Sequence, residues 1–208
     1  SFVVLGAVSA GQGTSDSLGA LGNLTALPGA FTVALAAGAT VALMTQWGVP
    51  VSTTQAIVGA ILGWNLFCHR PFSWGPLSTL AASWVYSPIL AGGIAALGRM
   101  LLSYWLRRHP VHLFRLDAWT RRALIGAGIF GAYSLGANNI ANVMGVFVPV
   151  NPFSSMSLSP WGPHFSASQS LFLAGGLAIA LGVWTHSRRV MDTVGNDIFR
   201  LSPLDGLL

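Results

Sequence analysis

Pro50-Val51-Ser52-Thr53-Thr54-Gln55-Ala56-Ile57-Val58-Gly59-Ala60 lies between stretches that are almost wholly apolar. Pro50 offers no amide hydrogen and disfavours helical geometry at Val49, so the chain should break at Gly48-Val49-Pro50 and restart as a helix near Ser52. Upstream, Ala30 to Trp47 is an uncharged run rich in Ala, Val and Leu, close to the roughly 20 residues that cross a bilayer core. Downstream, residues 51–66 are apolar but short and open on hydroxyls, which suits a re-entrant segment better than a full crossing. A helix that stops and restarts inside apolar sequence points to an all-α polytopic transmembrane protein with re-entrant or broken helices.

The rest of the 208 residues reads the same way. Residues 1–10 look like the tail of one span, Leu77 to Leu106 is long enough to span with tilt and to kink at Pro88, and Ala123 to Val148 and Leu171 to Thr185 follow. Four or five candidate spans result. The composition agrees: 53% of residues are hydrophobic and 7% charged, against about 25% charged in a soluble domain. There are ten Arg and no Lys, five Asp and no Glu. Five of those arginines fall between Arg107 and Arg122, as in a cytoplasmic loop obeying the positive-inside rule, so lipid is the expected partner and nucleic acid is not. Counting crossings from that loop returns Arg188 and Arg189 to its side and puts segment 149–169 on the other face, with Trp161 as an interfacial anchor. The single cysteine, Cys68, excludes a disulfide framework and reads as a packing residue. Residues 1–5 open inside an apolar run with no basic n-region, so they are not expected to be a signal peptide, and with both ends in apolar runs the chain reads as a piece of a longer cell-membrane protein.

Two polar clusters carry the chemistry. A helix starting at Ser52 exposes unpaired N–H groups and the positive end of its dipole, an anion site that Ser52, Thr53, Thr54 and Gln55 surround. The plain alternative is that these hydroxyls bond back to the preceding turn and Gly59 merely allows close helix packing. The second cluster is Gly136-Ala137-Asn138-Asn139-Ile140-Ala141-Asn142-Val143-Met144-Gly145. Three carboxamides within an apolar run must face protein, water or a ligand. Asn138 and Asn142 share a helical face, and Gly136 and Gly145 would tolerate unwinding, which frees carbonyls for a cation and N–H groups for an anion. Interhelical hydrogen bonding is the alternative there. An internal repeat supports a duplicated architecture: Asp16-Ser17-Leu18-Gly19 before Leu27-Pro28 resembles Asp192-Thr193-Val194-Gly195 before Ser202-Pro203. Asp16 and Asp192 themselves read as helix caps or loop ion-pair partners. The five histidines are scattered without metal-ligand spacing, and no catalytic motif occurs, so neither an enzyme nor a metal site is expected.

PVSTTQAIVGAILG at 50–63 and GANNIANVMG at 136–145 resemble the two signature motifs of the inorganic phosphate transporter (PiT) family, and RVMDTVGNDIFRLSPLDGL from Arg189 resembles its third recurring stretch. The resemblance implies a secondary transporter of two inverted repeats, each with one GAND-type and one PVSTT-type motif around a central anion site. It implies uptake of phosphate, or of sulfate in relatives, by symport with Na⁺ or H⁺ and no other cofactor. Residues 1–106 would be the C-terminal part of the first repeat, 107–122 the Arg-rich cytoplasmic loop, and 123–208 the N-terminal part of the second. The partner motifs are then expected before Ser1 and beyond Leu208.

Ser52, Thr53, Thr54, Gln55, Asn138, Asn139 and Asn142 are the expected substrate ligands, with Asn139 and Asn142 also facing the coupling cation. Asn139 stands where the family usually has Asp. A neutral amide binds a cation weakly and does not repel a fully deprotonated oxyanion, so it is expected to move preference toward sulfate. A homodimer is compatible with this reading, and a non-transporting membrane receptor or subunit is the competing class.

Overall fold

The computed structural model describes residues 2–22, 24–47, 49, 51–71, 73–108, 112–153, 155–157 and 164–192. Among these residues the helices are α1 (Phe2–Ala10), α2 (Gln12–Gly22), α3 (Leu27–Gln46), α4 (Thr53–Phe67), α5 (Trp74–Arg108), α6 (Leu113–Met144) and α7 (Ala167–Asp192). A 3-10 turn, Gly145–Val150, prolongs α6. One minimal antiparallel pair, β1 (Met156–Ser157) with β2 (His164–Phe165), interrupts the helical pattern, Met156 opposite Phe165 and Ser157 opposite His164. The chain divides into two compact units, Ser1–Pro76 with Ala132–Val183, and Leu77–Gly131 with Trp184–Leu208.

In the first unit, α3 starts with Pro28 in its first turn, where a missing N–H costs nothing. Helix α4 starts where the hydroxyl run predicts: Ser52 is extended and its side chain accepts the Gln55 N–H at 3.3 Å. It ends in a Schellman motif, with His69 N–H donating to the Leu66 carbonyl at 3.1 Å and Arg70 N–H to the Asn65 carbonyl at 2.8 Å. His69 takes the left-handed conformation this requires, φ 53°. Fifteen residues between those two caps make a rod of roughly 22 Å, short of a bilayer core. Its Ile57, Val58 and Ile61 are buried, as are Val33 and Ala37 of α3, against which it packs.

Lipid tails are as apolar as leucine, so helices in a membrane are held by close fit more than by removal from water. Close approach is what the glycines supply. A Cβ on Gly6 of α1 would collide with the Tyr133 carbonyl of α6, and one on Gly136 would collide with the Val3 carbonyl. The crossing is therefore backbone to backbone from both sides. Ala7, Ile140, Leu171 and Phe172 form the adjoining core of α1, α6 and α7. Ser9 and Tyr133 hydroxyls meet at 3.0 Å beside it.

The second unit holds α5, which has no buried residue along its 35 positions. A helix apolar on every side suits lipid. Helix α5 runs through Pro88.

Four expectations are corrected. The described residues contain three helices long and apolar enough to cross a membrane, Leu27–Gln46, Trp74–Arg108 and Ala167–Thr185, fewer than four or five. Helix α1 is described for nine residues, and the amides dilute the apolar character of α6. The Arg-rich stretch is largely helical among the described residues: α5 continues to Arg108 and α6 begins at Leu113. Arginine is a good helix former, Asp117 and Arg121 pair one turn apart at 3.8 Å, and Leu116 and Thr120 give that segment an inner face. Gly136 does not unwind α6, because its missing side chain is used for the α1 crossing; the helix tightens only at Gly145. Asp16 is an exposed residue in the second turn of α2 and caps nothing there. Trp161, the side chain of Asp192 and the motif beyond it lie outside the described residues.

Candidate functional site

The start of α4 brings its hydroxyls to the amide-rich end of α6. Thr53 Oγ1 donates to Asn139 Oδ1 at 3.4 Å, and Asn142 Nδ2 donates to Thr53 Oγ1 at 3.1 Å. Asn142 Nδ2 also donates to Asn139 Oδ1 at 3.3 Å, which closes a triangle. Residues 86 and 89 positions apart in sequence thus share one network. Asn139 is oriented by its own helix: Nδ2 donates to the Leu135 carbonyl at 3.1 Å, so Oδ1 is turned toward Thr53.

The remaining expected residues sit around this triangle without joining it. Ser52 is used as the cap of α4, Thr54 is half-buried and Gln55 is exposed. Asn138 is exposed and stands apart from the triangle. The helical face that matters is therefore Asn139 with Asn142, three apart, in place of Asn138 with Asn142, four apart. On a helix of about 100° per residue, Asn142 lies between the two, and Thr53 approaches from the Asn139 side.

Donors remain at the α4 terminus. The Gln55 N–H is taken by Ser52 Oγ and the Ala56 N–H by the Ser52 carbonyl at 3.0 Å. The first two helical amides, Thr53 and Thr54, have no intrahelical carbonyl to reach and carry the positive end of the helix dipole. Beside them opens a cavity of about 270 Å³ lined by Ala34, Ala37, Gly38 and Val41 of α3 with Thr53, Asn142 and Val143. At about 30 Å³ per water, that is room for a small oxyanion with part of its hydration. The α3 side of the cavity was missed by sequence reasoning, although Ala34, Ala37 and Gly38 fall at the small-residue spacing of a close helix contact. No group in the triangle titrates near neutral pH, so the site offers neutral dipoles only.

A second cavity, about 360 Å³, lies between α3 and α4 and is lined by Val33, Ala36, Ala60, Gly63, Trp64 and Phe67 with Thr32. It has one hydroxyl and none of the amides, so its chemistry is that of an apolar cleft.

Comparison with known proteins bears on the triangle. The family model described as "Phosphate transporter family" matches residues 1–208. A Thermococcus kodakarensis protein named "Putative phosphate permease TK2061" is 24% identical over 246 residues, covering 86% of this chain and 60% of that protein. The "Sulfate permease CysP" of Bacillus subtilis is 29% identical over 161 residues, covering 77% of this chain and 41% of the permease. A Plasmodium falciparum "Sodium-dependent phosphate transporter" is 39% identical over 75 residues, covering 34% of this chain and 11% of that protein. The chain spans 60% or less of the length of each of these relatives. No solved structure matches.

Proposed function

The chain belongs to the phosphate transporter family, and on that premise we propose that it forms part of a secondary carrier that takes up inorganic phosphate by ion-coupled symport across the cell membrane. The observation that carries the reading is the Thr53–Asn139–Asn142 triangle beside a cavity, with free amides of a helix N-terminus next to it. Neutral donors fit a carrier, because a permanent cation would hold the anion against release.

The hydrogen bonds suggest how substrate and ion are linked. An oxyanion at the start of α4 is met by the Thr53 and Thr54 amides and draws the Thr53 hydroxyl and the Asn142 amide toward its oxygens. Both are donors that Asn139 Oδ1 uses in the closed triangle. Once they turn, Asn139 Oδ1 has given up both of its protein donors and is open to a new partner. A Na⁺ ion, or the acidic proton of a protonated phosphate, restores its satisfaction. Anion binding and cation or proton binding are then favourable together and unfavourable apart. The name of the Plasmodium relative favours Na⁺ as the ion.

Sulfate is the second reading, favoured by the carboxamide of Asn139 and by the name of the Bacillus relative. A neutral acceptor does not repel an anion that has no proton to give. The full-length protein in proteoliposomes tests both: saturable uptake of labelled phosphate, driven by a Na⁺ or proton gradient and competed by sulfate, is expected. A protein that is folded, yet shows no gradient-driven uptake of either anion, would be a receptor or subunit instead.

A further inference from the structure

We infer that the end of the second unit where α5 stops and α6 starts is a binding site for the headgroups of anionic phospholipids. Between Arg107 and Arg122 the chain carries five arginines against one carboxylate, Asp117. That carboxylate is engaged by Arg121 one turn away. Arg115, Trp119 and Arg122 fall at i, i+4 and i+7, one face of α6. All three are exposed, Trp119 at 51%, whereas Thr120 on the other side is at 8%, so the arginine face points outward by packing as well as by spacing.

The aromatic rings make this more than a charged helix start. Trp119 stacks on Trp105 of α5, ring centroids 6.1 Å apart and planes 28° from parallel, and Trp105 is 39% exposed. Arg108 lies over the Tyr104 ring at 4.6 Å. Two indoles held together between arginines, at the end of a helix, form the pairing that settles at headgroup depth: flat amphipathic rings beside guanidiniums that take phosphate in bidentate fashion. The position is right as well. Helix α5 has 35 residues, roughly 52 Å, against a hydrocarbon core of about 30 Å. The run Leu77 to Gly98 carries no charge and spans about 33 Å, enough for the core, so that Arg99 falls at its edge and Tyr104 to Arg108 beyond it, toward the phosphate layer. A nucleic acid would meet the same charge, but the long uncharged run of α5 leading to it, with no buried residue, selects lipid. The site lies in the second unit and shares no residue with the triangle, so it rests on the membrane reading and not on the carrier reading.

Each basic residue near an anionic leaflet is worth roughly fivefold in binding, so loss of Arg115 and Arg122 should cost up to about thirtyfold. The full-length protein, equilibrated in mixed micelles with equal phosphatidylglycerol and phosphatidylcholine and then repurified, is assayed for the lipid it retains. Several-fold enrichment of phosphatidylglycerol is expected for the unaltered protein, with the ratio falling toward one in the R115Q/R122Q variant. Equal retention of the two lipids, or enrichment unchanged in the variant, overturns the proposal. Inorganic phosphate at millimolar concentration, compared with chloride at equal ionic strength, separates lipid from free oxyanion: displacement by phosphate alone would make this a soluble-anion site and overturn it too. Should the double variant not elute as a folded particle, the salt dependence of the unaltered protein decides, because enrichment that persists at molar salt is not held by arginines.

Discussion

Replacing Thr53 by Val separates a ligand site from interhelical glue. The change keeps the β-branched shape and close to the same helix propensity, and it removes one hydroxyl. That hydroxyl accepts from Asn142 at 3.1 Å and donates to Asn139 at 3.4 Å. The two amides keep their own contact at 3.3 Å, and Thr53 is exposed, so water can replace part of what is lost. The stability cost should stay near 1 kcal/mol, the value of one ordinary hydrogen bond. For a chain of this size that is a fall in Tm of roughly 2–4 °C. A bond from the hydroxyl to a bound oxyanion is charge-assisted and worth about 1.5–3 kcal/mol, or some 10- to 150-fold in affinity. Thermal unfolding and phosphate binding, measured on the same purified full-length protein, should therefore diverge. A variant that loses 10 °C in Tm while binding phosphate normally would refute the reasoning and make the triangle a packing device.

Three further outcomes follow from particular contacts. Asn139→Asp puts an acceptor-only carboxylate against Thr53 and Asn142, so the phosphate-to-sulfate uptake ratio should rise about tenfold or more; an unchanged ratio in competition assays would remove Asn139 from substrate choice. Gly136→Ala should destabilise by about 1–3 kcal/mol because the new methyl meets the Val3 carbonyl, whereas Gly131→Ala, with open space around it, should leave Tm equal or higher. His69→Gly relieves the left-handed cap of α4 and should raise Tm by a few degrees, about 1 kcal/mol, read by thermal unfolding.

Much of this was legible in the residues, for reasons that can be named. Pro50 followed by a hydroxyl run encodes a helix start chemically, and Ser52 caps α4 as that pattern requires. The carboxamides had to find partners inside apolar sequence, and two of the three did. Which two could not be read from spacing, since i+3 and i+4 are both neighbours on a helix. The choice is made by packing: Ile140 and Ala141 are buried, the backbone contact at Gly136 sets the rotation of α6, and Asn138 is thereby turned away. The Arg-rich stretch misled for a different reason. Charge density reports where a segment sits relative to lipid, not whether its backbone is helical, and α6 is already helical from Leu113. Apolar length over-counted spans because a run such as 123–148 is long enough to cross while its carboxamides lower its apolar character. The short β pair at Met156–Ser157 has no periodicity long enough to be seen.

The central claim is that Thr53 and Asn142 hold the transported anion. A crystal structure of the full-length protein with arsenate, located by its anomalous signal, tests this most directly. The account predicts a tetrahedral anion within about 2.7–3.1 Å of Thr53 Oγ1 and Asn142 Nδ2, with Asn139 Oδ1 released from both. Arsenate bound elsewhere, with the triangle still closed as in the free protein, would contradict it.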